Sequence, residues 1–174
     1  MVQDDHVAPS ICGPCGGDCC KRMPGAAFPE DFGAPDEEKL RATLTARLAS
    51  GKWSIDWYNG DPRPDAPAQW MHRLERAYFL RPATIDGVDE IVDPSHGGTC
   101  AHLTPAGCSI FEDRPRGCRG VIPLKNGPCL ASYGRKTDAA IAWLPFTKLL
   151  CEVALSLGRD PDAVEEPDYD WFLQ

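Results

Sequence analysis

The chain has 174 residues, 43% of them hydrophobic, and a formal net charge of −8. That length suits one compact domain with its own core. The acidic balance argues against a broad basic face for nucleic-acid phosphates or anionic lipid, and no apolar stretch stands out at the roughly 18 residues of a membrane span.

The opening, Met1 to Val7, has neither the positive region nor the apolar run of a signal peptide, so a reducing cytoplasmic setting is expected. Nine cysteines follow, in two groups and one outlier. The first group is Cys12, Cys15, Cys19 and Cys20, interrupted by Gly13, Gly16 and Gly17, which let the backbone bend. A C-x-x-C turn can place two sulfurs on one metal ion, whereas the adjacent pair Cys19 and Cys20 diverges and can reach two atoms of a cluster, two sites, or one. An odd count in a chain of this length does not suit a secreted disulfide scaffold.

The spacing predicts a helix over residues 35–50, with Leu40, Leu44 and Leu48 on one face, an acidic first turn and Gly51 as its stop. Lys52 to Tyr58 alternates and predicts a half-buried strand ending at the Asn59-Gly60 turn. Tyr78 to Arg81 and Val88 to Val92, separated by Asp86-Gly87, read as a hairpin. Residues 135–157 read as a helix that Pro145 kinks or splits, with Gly158 after it. The remainder is an acidic tail carrying Trp171, Phe172 and Leu173, either a packed extension or an interaction segment.

The second cysteine group is Cys100, Cys108, Cys118 and Cys129, with a turn at Thr104 to Gly107 between its first two members. Neither group offers a convincing closed site alone, so sulfurs of both are expected to meet. His96 and His102 flank Cys100 and could replace a sulfur, although loop histidines are ordinarily solvated; His6 and His72 carry no signal. Lys21, Arg22, Arg114, Arg116 and Arg119 interleave with the cysteines, where cations favour thiolates and offset their charge. Trp53, Trp57, Tyr58 and Trp70 are either core or the wall of a ligand cleft. Cys151 falls on a helix otherwise rich in leucine and is expected to be a small buried hydrophobe, not a ligand.

These motifs resemble the YkgJ-type cysteine-cluster family, a zinc- or iron-chelating domain. Its first signature, C-x-x-C-x-x-C-C, is similar to Cys12, Cys15, Cys19 and Cys20, with one extra residue here that leaves open which of Cys19 and Cys20 is a ligand. Its second is similar to Cys100, Leu103, Cys108, Ile110, Phe111, Arg114, Pro115 and Cys118, with Cys129 beyond. The resemblance implies that these eight cysteines bind metal and that Arg114 supports the cofactor. A related cluster accompanies flagellin lysine methylases, which by analogy adds a redox or protein-modifying role.

The expected fold is α+β: a single domain over residues 1–158 with irregular cysteine-rich loops around a metal centre, one or two short hairpins, an early helix and a proline-kinked late one. Residues 159–174 form the tail. The expected cofactor is a [4Fe–4S] cluster or zinc, the expected role structural or redox, and the expected partner another protein or a second copy. Neither nucleic acid nor membrane is expected to bind. The alternative is a metal-dependent enzyme with an open coordination position beside the aromatic cleft.

Overall fold

In a computed structural model, the chain is described over residues 16–22, 24–65, 76–94, 97–122, 130–131 and 136–165. It is an α+β fold of helices and antiparallel strand pairs. Helix α1 spans Asp18–Arg22, α2 Glu37–Ala49, α3 Arg116–Arg119, α4 Lys136–Trp143 and α5 Thr147–Ser156. The strands are β1 (Trp53–Asn59), β2 (Arg76–Pro82), β3 (Leu103–Thr104), β4 (Gly107–Cys108), β5 (Val121–Ile122) and β6 (Leu130–Ala131). They pair as β1 with β2, β3 with β4 and β5 with β6.

Helix α2 forms where the leucine spacing predicts. Asp36 caps it by accepting from the Lys39 amide at 3.0 Å, and Leu40, Leu44 and Leu48 are buried. Burying each leucine contributes about 2 kcal/mol, while the cap contributes about 1 kcal/mol. Helix α5 brings Leu149, Leu150 and Val153 to the same core, and α4 brings Ala139, Ala140 and Trp143. Trp143 donates its indole N–H to the Ala27 carbonyl at 2.8 Å, and the Ala27 amide in turn donates to the Leu80 carbonyl at the edge of β2. The 3-10 turn Leu144–Phe146 divides α4 from α5 at Pro145, as the ring requires.

Three expectations change. Lys136–Ser156 is, by length and composition alone, long and apolar enough to cross a membrane, although its apolar run did not stand out in the sequence. Here it is broken at Pro145, and Ala140, Trp143 and Leu150 lie wholly inside the protein core.

Strand β1 is buried on both faces from Trp53 to Trp57, not half-buried. Its polar positions are satisfied internally: Ser54 donates to the Glu90 carbonyl at 2.7 Å, and Asp56 forms an ion pair with Arg81 on β2.

The hairpin expected between Tyr78 to Arg81 and Val88 to Val92 is absent. Strand β2 pairs along its length with β1, from Trp53 opposite Pro82 to Asn59 opposite Arg76. Residues 88–92 instead turn, with Asp89 left-handed at φ 71°, and join the other edge of β1 through an isolated Ile55–Val92 bridge.

The start of the tail packs. Tyr78 donates its hydroxyl to Asp162 at 2.6 Å, and Arg76 donates to the Pro161 carbonyl at 3.2 Å. Trp171, Phe172 and Leu173 lie outside the described residues.

Candidate metal centre

Four short segments bring cysteines to one place. At the first, left-handed Gly16 and Gly17 turn the chain into α1, which carries Cys19 and Cys20 with their sulfurs 3.9 Å apart. Gly17 lies so close to the β3–β4 hairpin that a Cβ there would meet Leu103 at 2.6 Å.

The second segment continues β2. The Ile85 amide donates to the Thr99 carbonyl at 2.7 Å and the Ala101 amide to the Ala83 carbonyl at 2.9 Å, which fixes Cys100 between them. Cys100 donates its amide to the Cys20 carbonyl at 2.7 Å, and Gly98 donates to the Arg22 carbonyl at 2.9 Å. Main-chain bonds therefore join the two cysteine groups directly.

The third segment is the hairpin. Thr104 faces Gly107 across a two-residue turn, as its residues predict, and Leu103 faces Cys108. The fourth is α3, which carries Cys118. Asp31 ties that helix to the core by accepting from the amides of Phe28 and Arg116, both at 2.9 Å, and from the Arg119 guanidinium at 2.8 Å.

The result is a cavity of about 360 Å³ whose lining includes Cys19, Cys20, Cys100, Cys108 and Cys118. The sulfurs lie within electrostatic reach of one another. Burial pushes the Cys118 thiol up to about 12, with Cys100, Cys108 and Cys19 adding to the rise. Burial likewise raises Cys100, while the Arg81 charge opposes it. Cys20 is raised first by its hydrogen bond with Cys19 and then by burial. Buried thiols of this kind are protonated until a metal replaces the proton. Among the described residues, no three His, Cys, Asp or Glu side chains converge as a ready-made site for one ion. The thiols surround a space, and their soft donor chemistry fits zinc or iron.

The predicted ligands Cys12, Cys15 and Cys129 lie outside the described residues, as do His6, His72, His96 and Trp70. Cys151 does not line the cavity. It packs against the core on α5, where burial first, then Asp162 and Asp160, push its thiol up to about 11. Cys151→Ala is expected to retain full metal content and to lower stability by about 1 kcal/mol or less. Elemental analysis and thermal melting check this, and loss of metal would make Cys151 a ligand.

The interleaved cations separate into different roles. Arg22 and Arg114 line the cavity. Lys21 pairs with Asp18 and Arg119 with Asp31, while Arg116 sits over the Phe28 ring. Arg114 is held in place by donating Nε to the Phe111 carbonyl at 2.7 Å, with its guanidinium carbon 3.7 Å from the Phe111 ring centroid. Among the described residues no carboxylate forms an ion pair with it.

One expectation fails at this site, and one pair of alternatives is decided. His102 is not a solvated loop residue: it is 5% exposed and its ring lies 5.7 Å from that of Trp53. Its Nδ1 meets Ser109 Oγ at 3.3 Å, and its Nε2 makes no hydrogen bond of regular geometry among the described residues. Burial, then Lys52 and Arg47, lower its pKa. Trp53 and Trp57 belong to the core, and neither they nor Tyr58 line the cavity, so these residues form no aromatic cleft there.

The sequence did not single out Phe79, Arg81 or Lys136, all of which line the cavity. Their one available signal was the pairing of a charged residue on each of two neighbouring apolar segments, Asp56 and Arg81.

Thiols from separated segments, gathered around one cavity, define a metal-chelating domain. The chain belongs to the CxxCxxCC family, described as a "putative zinc- or iron-chelating domain", which it matches over residues 11–132. No curated protein and no solved structure matches it significantly.

Proposed function

We propose that the cysteines hold a [4Fe–4S] cluster with a structural or electron-carrying role, and that the domain works in the cytoplasm through a protein partner. The observation that carries this reading is the spread of the described thiols around a 360 Å³ cavity, no three of them converging on a point. Four-coordinate zinc requires its sulfurs about 2.3 Å from a single centre. A cubane presents separate corners and suits wider, irregular spacing.

A single cluster takes four thiolates, so four of the eight signature cysteines, drawn from both halves of the chain, hold it and the others are left over. Arg114, fixed by Phe111 and lining the same cavity, contributes positive charge beside the thiolates. When bound, such a cluster supplies one-electron transfer. The protein's own contribution is to exclude water: the lining includes Phe79, Pro82, Ile110, Phe111 and Val121.

Anaerobic purification followed by iron, sulfide and zinc analysis and an absorption spectrum tests this. About four irons and four sulfides per chain, with a broad visible band bleached by dithionite, is the expected result. Stoichiometric zinc without acid-labile sulfide in the anaerobic preparation would overturn the cluster and leave zinc.

A further inference from the structure

A buried ionic group forms part of the cavity wall. Arg81 and Asp56 are each 1% exposed at the side chain and meet through Arg81 Nε and Asp56 Oδ2 at 2.9 Å. The same Oδ2 accepts from Lys136 Nζ at 3.0 Å, and Arg81 Nη2 reaches Asp93 Oδ2 at 3.0 Å. Asp56 is held from its other oxygen as well, which accepts from the Trp57 amide at 2.7 Å. Arg81 and Lys136 both line the cavity that the cysteines share.

Burying such ions costs several kcal/mol each in lost hydration, and an apolar wall of similar volume would serve packing as well. Their position on the wall of the cavity that the thiols line supplies what packing does not explain. Thiolate ligands bring negative charge into a partly enclosed cavity, where a nearby cation acts more strongly than in bulk water. Arg81 already lies between the carboxylates of Asp56 and Asp93, whereas Lys136 shares Asp56 with it. Lys136 brings a second cation to Asp56, and its removal takes one positive charge from the wall of the cavity that the cysteines line. We infer that Lys136 is a charge-compensating residue of the metal centre, held at the cavity by Asp56, which Arg81 fixes in place.

This rests on chelation by the thiols and not on which metal they hold. The test is zinc competition against a chromophoric chelator for the full-length wild type, Lys136→Met, Lys136→Gln, Lys136→Arg and Cys108→Ser. With iron loaded, a reductive titration of the first four is added. Lys136→Met and Lys136→Gln are expected to bind zinc about tenfold more weakly and to be harder to reduce, and Lys136→Arg to restore both. Because Asp56 keeps Arg81 and Lys136 is partly exposed, these variants retain the fold. Unchanged zinc affinity and unchanged potential in Lys136→Met, even with a lower Tm, would reduce Lys136 to a structural ion pair and overturn the inference. Cys108→Ser with wild-type zinc affinity would instead remove the chelation reading on which it rests.

Discussion

Cys118→Ser is expected to abolish stoichiometric metal binding, and Cys108→Ser to do nearly the same. Serine keeps the size of the side chain but exchanges a soft donor for a hard one that is poor at holding zinc or iron. Cys118 sits at the end of a fixed chain of contacts, with its amide donating to the Pro115 carbonyl at 2.8 Å and its sulfur 4.0 Å from the Gly25 carbonyl.

The stabilisation that bound metal lends to the folded state is lost with it, about 4 kcal/mol if free metal stands a thousandfold above Kd. The core of α2, β1, β2, α4 and α5 remains, so the variants fold with a lower Tm. A strong chelator should bring the wild-type Tm down to the same value. Acid acts in the same direction, because buried thiols must each release a proton to bind and protons compete more strongly as pH falls. Metal analysis and calorimetry check the set, and a Cys118→Ser variant with full metal content would remove Cys118 from the centre.

Gly117→Ala is expected to be nearly as damaging without touching a ligand. A Cβ at Gly117 would lie 2.3 Å from the Ala26 carbonyl oxygen and 2.9 Å from the Ala26 amide nitrogen. Both are backbone atoms, and the Gly117 amide donates to that same carbonyl at 3.1 Å. Neighbouring Gly25 is equally confined: a Cβ there would meet the Cys118 amide and sulfur at 2.8 Å. No side chain can rotate away, so α3 must lift and carry Cys118 with it.

A cost of about 2–4 kcal/mol with weakened metal binding is expected. Gly60→Ala is the control. It has nothing within 4 Å of a new Cβ, only a left-handed backbone at φ 81°, so it should cost about 1 kcal/mol and keep its metal. Wild-type melting and metal content in Gly117→Ala would contradict the close approach.

Local signals in the sequence held where local physics decides the outcome. The leucine spacing of α2, the break at Pro145 and the turn between Leu103 and Cys108 each depend on neighbours within a few residues. Strand partnership depends on the rest of the chain. Nothing in Val88 to Val92 shows that β2 already has a complete partner in β1, so proximity in sequence suggested the wrong hairpin.

Charged residues mislead for a related reason. Asp56 in an alternating segment reads as facing water, because its partners Arg81 and Lys136 come from other elements. His102 reads as a loop histidine until Trp53 covers it. The cysteine pattern indicated the chemistry and, with the resemblance, a centre drawing on both halves. The cavity wall could not be read from it, because that wall is a product of tertiary packing.

The amide of Cys100 and the carbonyl of Cys20 join parts of the chain far apart in sequence, and the bond between Gly98 and Arg22 repeats the stitch. Peptide groups make these links whatever the sulfurs hold. The entropy of closing so long a loop is therefore met by folding itself, before any ion arrives. An incoming metal meets Cys19, Cys20, Cys100, Cys108 and Cys118 already held around one cavity, and a departing one leaves the stitch intact. Loading and unloading then become local events at the cavity, with rates set by how ions and protons enter and leave, and not by the slower business of taking the domain apart and rebuilding it.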